Sequence, residues 1–464
     1  MSSPIDATNS GGRRNLFVIC FIASIGGFLF GYDLSLIGSA NTFLRDQFHL
    51  NDAGLGFVTA SAALGCMAGP FLGAWLCDRV GRNRSMMIAA ALLATGAIVT
   101  ACTNTILLFN IFRIVGGVGV GLCSIASPMY IAETTPAAKR GQYGIMYQMA
   151  IVVGSTVSPL VAYVLVRFFP DDISWRWMFA SQMLFVLLFA GFLFLLPASP
   201  RWLAELGRFE EAKKVLESIH GSEVARQEFD EIKNSLAQEE GGFSELFKPD
   251  VRYALLIGLL LAFFNNWTGW SVIGGYIPIL LEMAGVPSRQ TAILQFSLTY
   301  LAMAIMTVAS MFLIDRVGRR PLWNFASIMM ALITGCMGFI FKAHLTGILV
   351  LLVITLCTMP HGIALGGLPW LMMSELFPNR IRAKAVAVTT TFLWVTIYSG
   401  AQLFPVITGW SERTFGSIAV AFWLFTVICV LSAVFGFTLM PETRGRTLEA
   451  IASSWNKQKA GKSV

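Results

Sequence analysis

The chain consists of twelve apolar runs of about 20 residues, separated by polar links. About 20 apolar residues is the length that an α-helix needs to cross the hydrocarbon core of a bilayer. Lipid offers no hydrogen-bond partners to the backbone, so each run must satisfy its own peptide groups as a helix. The sequence therefore predicts an all-α membrane protein with twelve transmembrane helices, centred near residues 28, 65, 95, 119, 155, 187, 265, 302, 331, 360, 395 and 428.

The charged residues are few and unevenly placed. Only 13% of the 464 residues are charged, whereas soluble domains carry about 25%. The links after spans 2, 4, 6, 8 and 10 and the two tails together hold 26 of the 33 lysines and arginines. Because basic loops remain in the cytoplasm, we expect both termini there. This placement explains the net charge of +7 without a nucleic-acid partner.

The eight cysteines lie in or beside apolar runs. None has a CxxC partner or a histidine at ligand spacing, so the sequence predicts neither a zinc site nor a disulfide framework. Small thiols in such positions are typical of packing residues.

The longest link runs from residue 198 to 250. Its segments at 207–216 and onward to about residue 236 are rich in Glu and Lys and have an amphipathic pattern, which predicts short helices. A disordered linker is the alternative. The predicted division is a cytoplasmic N-terminal tail (1–14), a six-helix half (15–197), an intracellular helical linker domain (198–250), a second six-helix half (251–440) and a cytoplasmic C-terminal tail (441–464).

An internal repeat relates the two halves. It consists of three motif pairs in the same order: Asp78-Arg79-Val80-Gly81-Arg82 with Asp315-Arg316-Val317-Gly318-Arg319, Glu133 and Arg140 with Glu375 and Arg382, and Pro197-Ala198-Ser199-Pro200-Arg201 with Pro441-Glu442-Thr443-Arg444-Gly445. Motifs that recur six spans apart predict two parallel six-helix halves that rock about a central site.

The acidic residues of this repeat do not contribute to the excess of lysine and arginine that keeps loops in the cytoplasm. Together with the arginines at the same ends of the helices, they can form salt bridges that hold a cytoplasmic mouth shut. Simple anchoring of the loops is the alternative interpretation. The candidate gating residues are Asp78, Arg79, Arg82, Glu133, Arg140, Asp315, Arg316, Arg319, Glu375 and Arg382.

Two charges lie inside spans, Asp33 in span 1 and Arg113 in span 4. A charge at that depth costs at least roughly 2.5–3.5 kcal/mol on insertion scales. Each lies about eight residues from the predicted outer end of its span, which is a depth of roughly 12 Å. The sequence therefore predicts that they pair. The pair can be purely structural, or it can load and release a proton.

The motifs resemble those of the sugar porters of the major facilitator superfamily, from Gly26 to Thr447. The matching segments are GGFLFGYD at 26–33, DRVGRNR at 78–84, RIVGGVGVG at 113–121, PMYIAETTPAAKRG at 128–141, PASPRWL at 197–203, DRVGRRP at 315–321, PWLMMSELFP at 369–378 and PETRGRT at 441–447. The resemblance implies alternating access by rocking of the two halves, with substrate bound between them.

The resemblance also implies roles for individual residues. Family members that are similar in having an aspartate in span 1 and an arginine in span 4, at the positions of Asp33 and Arg113, are proton symporters. Protons are therefore the expected coupling ion, and no other cofactor is implied. Gln148, Trp370 and Trp394 match sugar-cavity positions, with lipid or helix packing as the alternative for each tryptophan. Asn265, Asn266 and Ser271 are the other candidate substrate ligands, because sugar hydroxyls need paired donors and acceptors.

Span 7 departs from the family pattern. The usual Gln-Gln-x-x-Gly-x-Asn is replaced by Asn265-Asn266-Trp267-Thr268-Gly269-Trp270-Ser271, and Gly275 replaces the first of two tyrosines. These changes predict a wider cavity with fewer hydroxyl partners. His361 in span 10 can be a second titrating group or a satisfied packing residue.

The sequence favours proton-coupled transport of a monosaccharide or polyol. Two alternatives remain: a carrier for a sugar acid, a quinate-like cyclic carboxylate or another small polar metabolite, and a non-transporting membrane sensor. An enzyme is not indicated, because no constellation of catalytic side chains occurs. The glycines at 116–121 follow no strand and indicate close helix packing. We expect a functional monomer whose partners are a small-molecule substrate and the lipid bilayer, in a bacterial inner membrane.

Overall fold

A computed structural model describes residues 10–136, 139–236, 242–248, 251–377 and 379–443. Across these residues the regular elements are all helices. Eleven are long and apolar enough to cross a membrane, and a pair bent by 47° forms a twelfth span. The predicted all-α membrane fold with twelve spans is therefore confirmed. Most of the two predicted tails, 1–14 and 441–464, lies outside the described residues.

Six long helices form the first half. They are α1 (Ser10–Gln47), α2 (Asp52–Val80), α3 (Arg82–Cys102), α4 (Ile106–Thr134), α5 (Arg140–Phe168) and α6 (Asp171–Leu193). The linker carries α7 (Pro200–Glu205), α8 (Phe209–His220), α9 (Ser222–Leu236) and a 3-10 turn (Phe243–Phe247). Helices α8 and α9 occupy the segment predicted to be helical.

The second half has more and shorter helices, because two of its spans are broken. They are α10 (Arg252–Trp267), α11 (Trp270–Ile273), α12 (Ile277–Met283), α13 (Arg289–Val317), α14 (Arg319–Lys342), α15 (Ile348–Pro360), α16 (Leu368–Glu375), α17 (Asn379–Phe415) and α18 (Ala419–Thr438). We call the face from which the linker leaves the linker face, and the opposite face, where α1 and α3 end, the far face.

Helix α1 is longer than the sequence predicts. The apolar run ends near Ala40, but the helix continues to Gln47. Two polar residues at the start of this extension, Asn41 and Thr42, are buried, and Asn41 donates a hydrogen bond to the carbonyl oxygen of Gly275 in the second half over 2.8 Å. Contact between the halves therefore stabilises a segment that the hydropathy pattern assigns to a loop.

The glycines of α4 allow close packing, as predicted. A Cβ atom on Gly117 would lie 2.0 Å from the carbonyl oxygen of Ala62 in α2, and one on Gly121 would lie 2.8 Å from the Cα atom of Gly69. The backbones of α2 and α4 are thus in contact, which locks the helix that carries Arg113 into the first half.

Spans 7 and 10 are interrupted near the middle of the molecule. Gly269, with φ of 120°, separates α10 from α11. Residues 361–365 form one turn of π-helix between α15 and α16. Such breaks expose backbone groups and are common at functional sites.

The linker is divided between the two halves. The Trp202 indole donates to the carbonyl oxygen of Asp78 over 2.9 Å, and the ring of His220 lies 3.0 Å from the carbonyl oxygen of Thr134, so both contact the first half. Leu246 instead belongs to the buried core of the second half. Trp202 and His220 therefore attach the first part of the linker to the first half, and Leu246 attaches its last part to the second half.

Candidate functional site

Asp33 and Arg113 lie side by side inside the first half. Arg113 Nη1 donates to Asp33 Oδ1 over 2.6 Å, and each side chain is 3% exposed. The guanidinium carbon of Arg113 is 5.4 Å from the centre of the Phe179 ring. Asp33 Oδ2 and Arg113 Nε and Nη2 have no hydrogen-bond partner among the described residues. The pair is thus buried but held by one hydrogen bond, and the second carboxylate oxygen has no partner among the described residues.

Three of the predicted substrate ligands remain partly accessible. Gln148 and Trp370 are partly buried, and Gln148 forms no hydrogen bond to any described residue. Ser271 donates to the carbonyl oxygen of Asn265 over 3.3 Å. A free carboxamide, a hydroxyl and an indole face are the groups that a sugar ring needs.

The two asparagines of span 7 have structural partners. Asn265 Nδ2 donates to the carbonyl oxygens of Leu365 and Gly366, over 2.7 and 2.9 Å, where the π-helix ends. Asn266 Nδ2 donates to Thr396 Oγ1 over 2.9 Å. The amide nitrogen of Asn265 therefore fixes the break in span 10 and is not free for a ligand.

Trp394 joins the two halves. Its side chain is fully buried and its ring centre lies 5.6 Å from that of Phe30 in α1. Its indole nitrogen has no hydrogen-bond partner among the described residues. The structure therefore places this tryptophan at the contact between halves.

Sequence reasoning did not single out Trp270. Its ring lies 6.3 Å from that of His361, and its indole nitrogen donates to the sulfur of Met303. His361 begins the π-helix, and its Nδ1 has no partner among the described residues. The sequence feature that indicates this region is the high content of proline and glycine at residues 360–367, which is typical of a broken span.

At the linker face, the internal repeat forms the same three-residue arrangement in each half. In the first half, Glu133 accepts from Arg82 over 2.7 Å and from the Ser199 hydroxyl over 2.5 Å. In the second half, Glu375 accepts from Arg319 over 3.2 Å and from the Thr443 hydroxyl over 2.6 Å. We call these the linker-face triads. Ser199 and Thr443 come from the third pair of repeated motifs.

The remaining candidate gating residues surround the linker-face triads. Asp78 lies 3.8 Å from Arg82, and Arg79 lies over the Trp75 ring at 5.1 Å. Arg140 and Arg382 each donate to a backbone carbonyl oxygen, at Ala132 and Phe377. Arg316 is exposed at the end of α13, and the side chain of Asp315 lies outside the described part of the chain.

Residues 19–455 match the family described as "Sugar (and other) transporter". The chain belongs to this sugar transporter family. The sugar transporter is 36% identical over 459 residues to the arabinose-proton symporter of Bacillus subtilis, with 98% of each chain covered. It is 34% identical to the D-xylose-proton symporter of Escherichia coli, with 96% of each covered. The family predicted from the motifs is confirmed, and it is one of transporters rather than enzymes.

Solved structures resemble the sugar transporter to different degrees. The inward-open conformation of the xylose transporter XylE from E. coli matches with a TM-score of 0.83 and 31% identity, covering 95% of this chain and 100% of that one. XylE bound to 6-bromo-6-deoxy-D-glucose matches with a TM-score of 0.78 and 32% identity, covering 95% and 99%. The sugar transporter thus has the major facilitator fold.

Proposed function

We propose that this sugar transporter is a proton symporter that moves a monosaccharide or polyol by alternating access between its two halves. The observation that carries the proposal is the buried pair of Asp33 and Arg113 in the half opposite the broken spans. The names of the relatives support it, since they are proton symporters for arabinose and xylose. Protons are the coupling ion that we propose for this chain.

In this mechanism Asp33 binds and releases the proton. Its Oδ2 atom accepts no hydrogen bond from a described residue. A proton bound there removes the negative charge that neutralises Arg113, so the attraction between the two side chains weakens. In this mechanism the halves rock either with proton and substrate both bound or with neither bound. A conformation in which Asp33 and Arg113 are both ionised and separated inside the protein is unfavourable.

We propose that substrate binds where the breaks of spans 7 and 10 meet the first half. The partly accessible carboxamide of Gln148, the Ser271 hydroxyl and the Trp370 ring supply contacts from three spans. Asn265 contributes its side-chain oxygen, while its nitrogen holds the π-helix in place. Asn266 and Trp394 support the cavity wall through their buried contacts.

The linker-face triads are our candidates for the inner gate, together with the residues around them. We place the linker face in the cytoplasm, because most of the lysines and arginines lie on its links and tails. Since one chain contains both halves and the whole site, we propose that it works as a monomer in a bacterial inner membrane. We also propose the division of the chain that the sequence predicts, into two tails, two six-helix halves and a linker domain.

The variant Asp33→Asn tests proton coupling in proteoliposomes that contain the purified protein. We expect Asp33→Asn to lose accumulation of arabinose or xylose against a gradient while exchange of labelled for unlabelled sugar continues. The reason is that exchange needs rocking and binding but no net proton movement. Substrate-induced alkalinisation of the outer medium should also disappear.

Asp172→Asn is the matched control, because Asp172 is an exposed carboxylate at the start of α6. It should retain both accumulation and exchange. Accumulation by Asp33→Asn would overturn the coupling role. A wild-type protein that neither accumulates nor exchanges any of a panel of sugars and polyols would overturn the transport proposal itself.

A further inference from the structure

Arg289 links the two halves at the far face. It is the first residue of α13 in the second half. Its Nη2 atom contacts the carboxylate of Asp46 in α1, and its Nη1 atom lies 3.4 Å from Asp171 Oδ2 in α6. Both carboxylates belong to the first half. One guanidinium therefore bridges from the second half to two helices of the first.

Two further charged residues complete the cluster. Glu282 of α12 lies 3.6 Å from Arg289 and 3.5 Å from Arg45 of α1. The Arg289 guanidinium also lies 5.1 Å from the centre of the Phe43 ring in α1. We call Arg45, Asp46, Asp171, Glu282 and Arg289 the far-face latch. Arg45 of the first half faces Glu282 of the second, and Arg289 of the second half faces Asp46 and Asp171 of the first. Each half therefore contributes both positive and negative charge to the contact.

Other contacts close the same face independently. Arg413 of α17 lies 2.8 Å from Asp52 at the start of α2. Gln402 Nε2 donates to the carbonyl oxygen of Ala53 over 2.9 Å. By contrast, the linker-face triads each join residues that belong to the same half or to its adjoining linker or C-terminal segment. The XylE structures described as inward-open and as partially occluded inward-open match with TM-scores of 0.83 and 0.82, which agrees with a closed far face.

We propose that the far-face latch holds the outer mouth shut and that its ion pairs must break in every transport cycle. This inference rests on the alternating access of the proposed function. The latch residues other than Asp46 and Asp171 are 21–36% exposed, and those two are 50% and 62% exposed. Ion pairs this accessible to solvent shift an equilibrium by roughly two- to fivefold each, which biases the closed state without preventing its opening.

The test measures the separation of the halves at the far face in the full-length protein in lipid nanodiscs. Cys102 provides an exposed thiol at the far end of α3. Lys342→Cys adds a second at the far end of α14 in the other half, and Cys336→Ser removes the other exposed thiol. Spin labels on the two thiols report the distance between halves by pulsed electron paramagnetic resonance.

We expect Arg289→Gln to increase the long-distance, outward-open population by roughly two- to fivefold at low salt, and by less at high salt because exposed charges are screened. Asp46→Asn should act in the same direction. The double variant should shift the population by less than the sum of the two, because both changes remove one interaction.

Arg167→Gln is the matched control, since Arg167 is an exposed arginine at the far end of α5; it should leave the distances unchanged. An unchanged distribution in Arg289→Gln, or an equal shift in Arg167→Gln, would overturn the latch. Asp46→Asn and Asp171→Asn serve the same test if Arg289→Gln does not fold. The measurement uses neither sugar nor proton gradient, so failure of the symport proposal leaves its result interpretable.

Discussion

Asp33 and Arg113 are separated by 80 residues of sequence, yet their side chains lie 2.6 Å apart and are almost completely buried. A buried pair is favourable only while both members are present, because removal of one leaves an uncompensated charge. The pair is therefore sensitive to any event that changes the charge of Asp33, which in the proposed mechanism is the binding of a proton.

Removal of one partner should destabilise the protein more than removal of both. Loss of one member of a buried pair costs about 3–5 kcal/mol, whereas joint neutralisation is far milder. We expect Asp33→Asn to lower the thermal unfolding temperature of the purified protein, and Asp33→Asn with Arg113→Gln to recover part of the loss. A loss in the double variant equal to the sum of the losses in Asp33→Asn and Arg113→Gln alone would show that the two side chains do not interact.

The linker-face triads should differ in strength. Hydrogen bonds to charged groups contribute about 1.5–3 kcal/mol. Arg82 and Glu133 are 4% and 8% exposed, while Arg319 and Glu375 are 11% and 24% exposed. We expect Glu133→Gln to lower the unfolding temperature more than Glu375→Gln. The reverse order, measured under identical detergent conditions, would contradict the importance of burial here.

Gly117→Ala should disrupt the packing of α2 against α4. The added methyl group would lie 2.0 Å from a backbone oxygen, so the helices must separate, at a cost of about 1–3 kcal/mol. Gly144→Ala is the control, because nothing lies within 4 Å of its added carbon. That change should stabilise the helix by roughly 0.5–1 kcal/mol. Thermal unfolding of both variants distinguishes a packing requirement from a general intolerance of alanine.

Docking of the linker should weaken in acid. Burial lowers the pKa of His220 below its usual value of 6.5, the hydrogen bond to the Thr134 carbonyl oxygen opposes this shift, and Lys139 adds to it. The undocked histidine therefore takes up a proton more readily. Stability of docking is full above about pH 6.5 and falls as the pH decreases toward the lowered pKa of the docked residue.

Hydrogen exchange of the α8 amides at pH 7.5 and pH 5.5 measures this effect as a change in protection factor. His220→Gln keeps a donor for the Thr134 carbonyl oxygen but does not titrate. Its protection factors should be independent of pH across this range. If His220→Gln loses protection in acid as the parent does, another group controls the docking.

Trp370 and Trp394 should give different phenotypes. Trp370→Ala should raise the KM for sugar by roughly two- to tenfold, as expected for loss of an aromatic contact, and Trp370→Phe should restore most of the affinity. Trp394→Ala removes a fully buried ring and should cost about 3–5 kcal/mol of stability. A normal KM in Trp370→Ala, measured by initial uptake rates, would remove Trp370 from the substrate site.

The sequence by itself determined the twelve spans, the two related halves and the family, because hydropathy, charge bias and repeated motifs are properties of the chain read in order. Asp33 and Arg113 could be paired on depth alone, since each is too costly in the membrane without the other. The repeat also indicated that Glu133 and Glu375 occupy equivalent places. It did not indicate that Ser199 and Thr443 complete the linker-face triads.

Only the tertiary structure decided which polar atoms are free and which are already bonded. Asn265 and Asn266 look like sugar ligands in sequence, but their amide nitrogens bind backbone and side-chain oxygens more than 95 residues away in the chain. The end of α1 and the far-face latch likewise depend on contact between the halves. Hydropathy reports the preference of each residue for lipid or water, whereas these features depend on which residues from distant segments become neighbours.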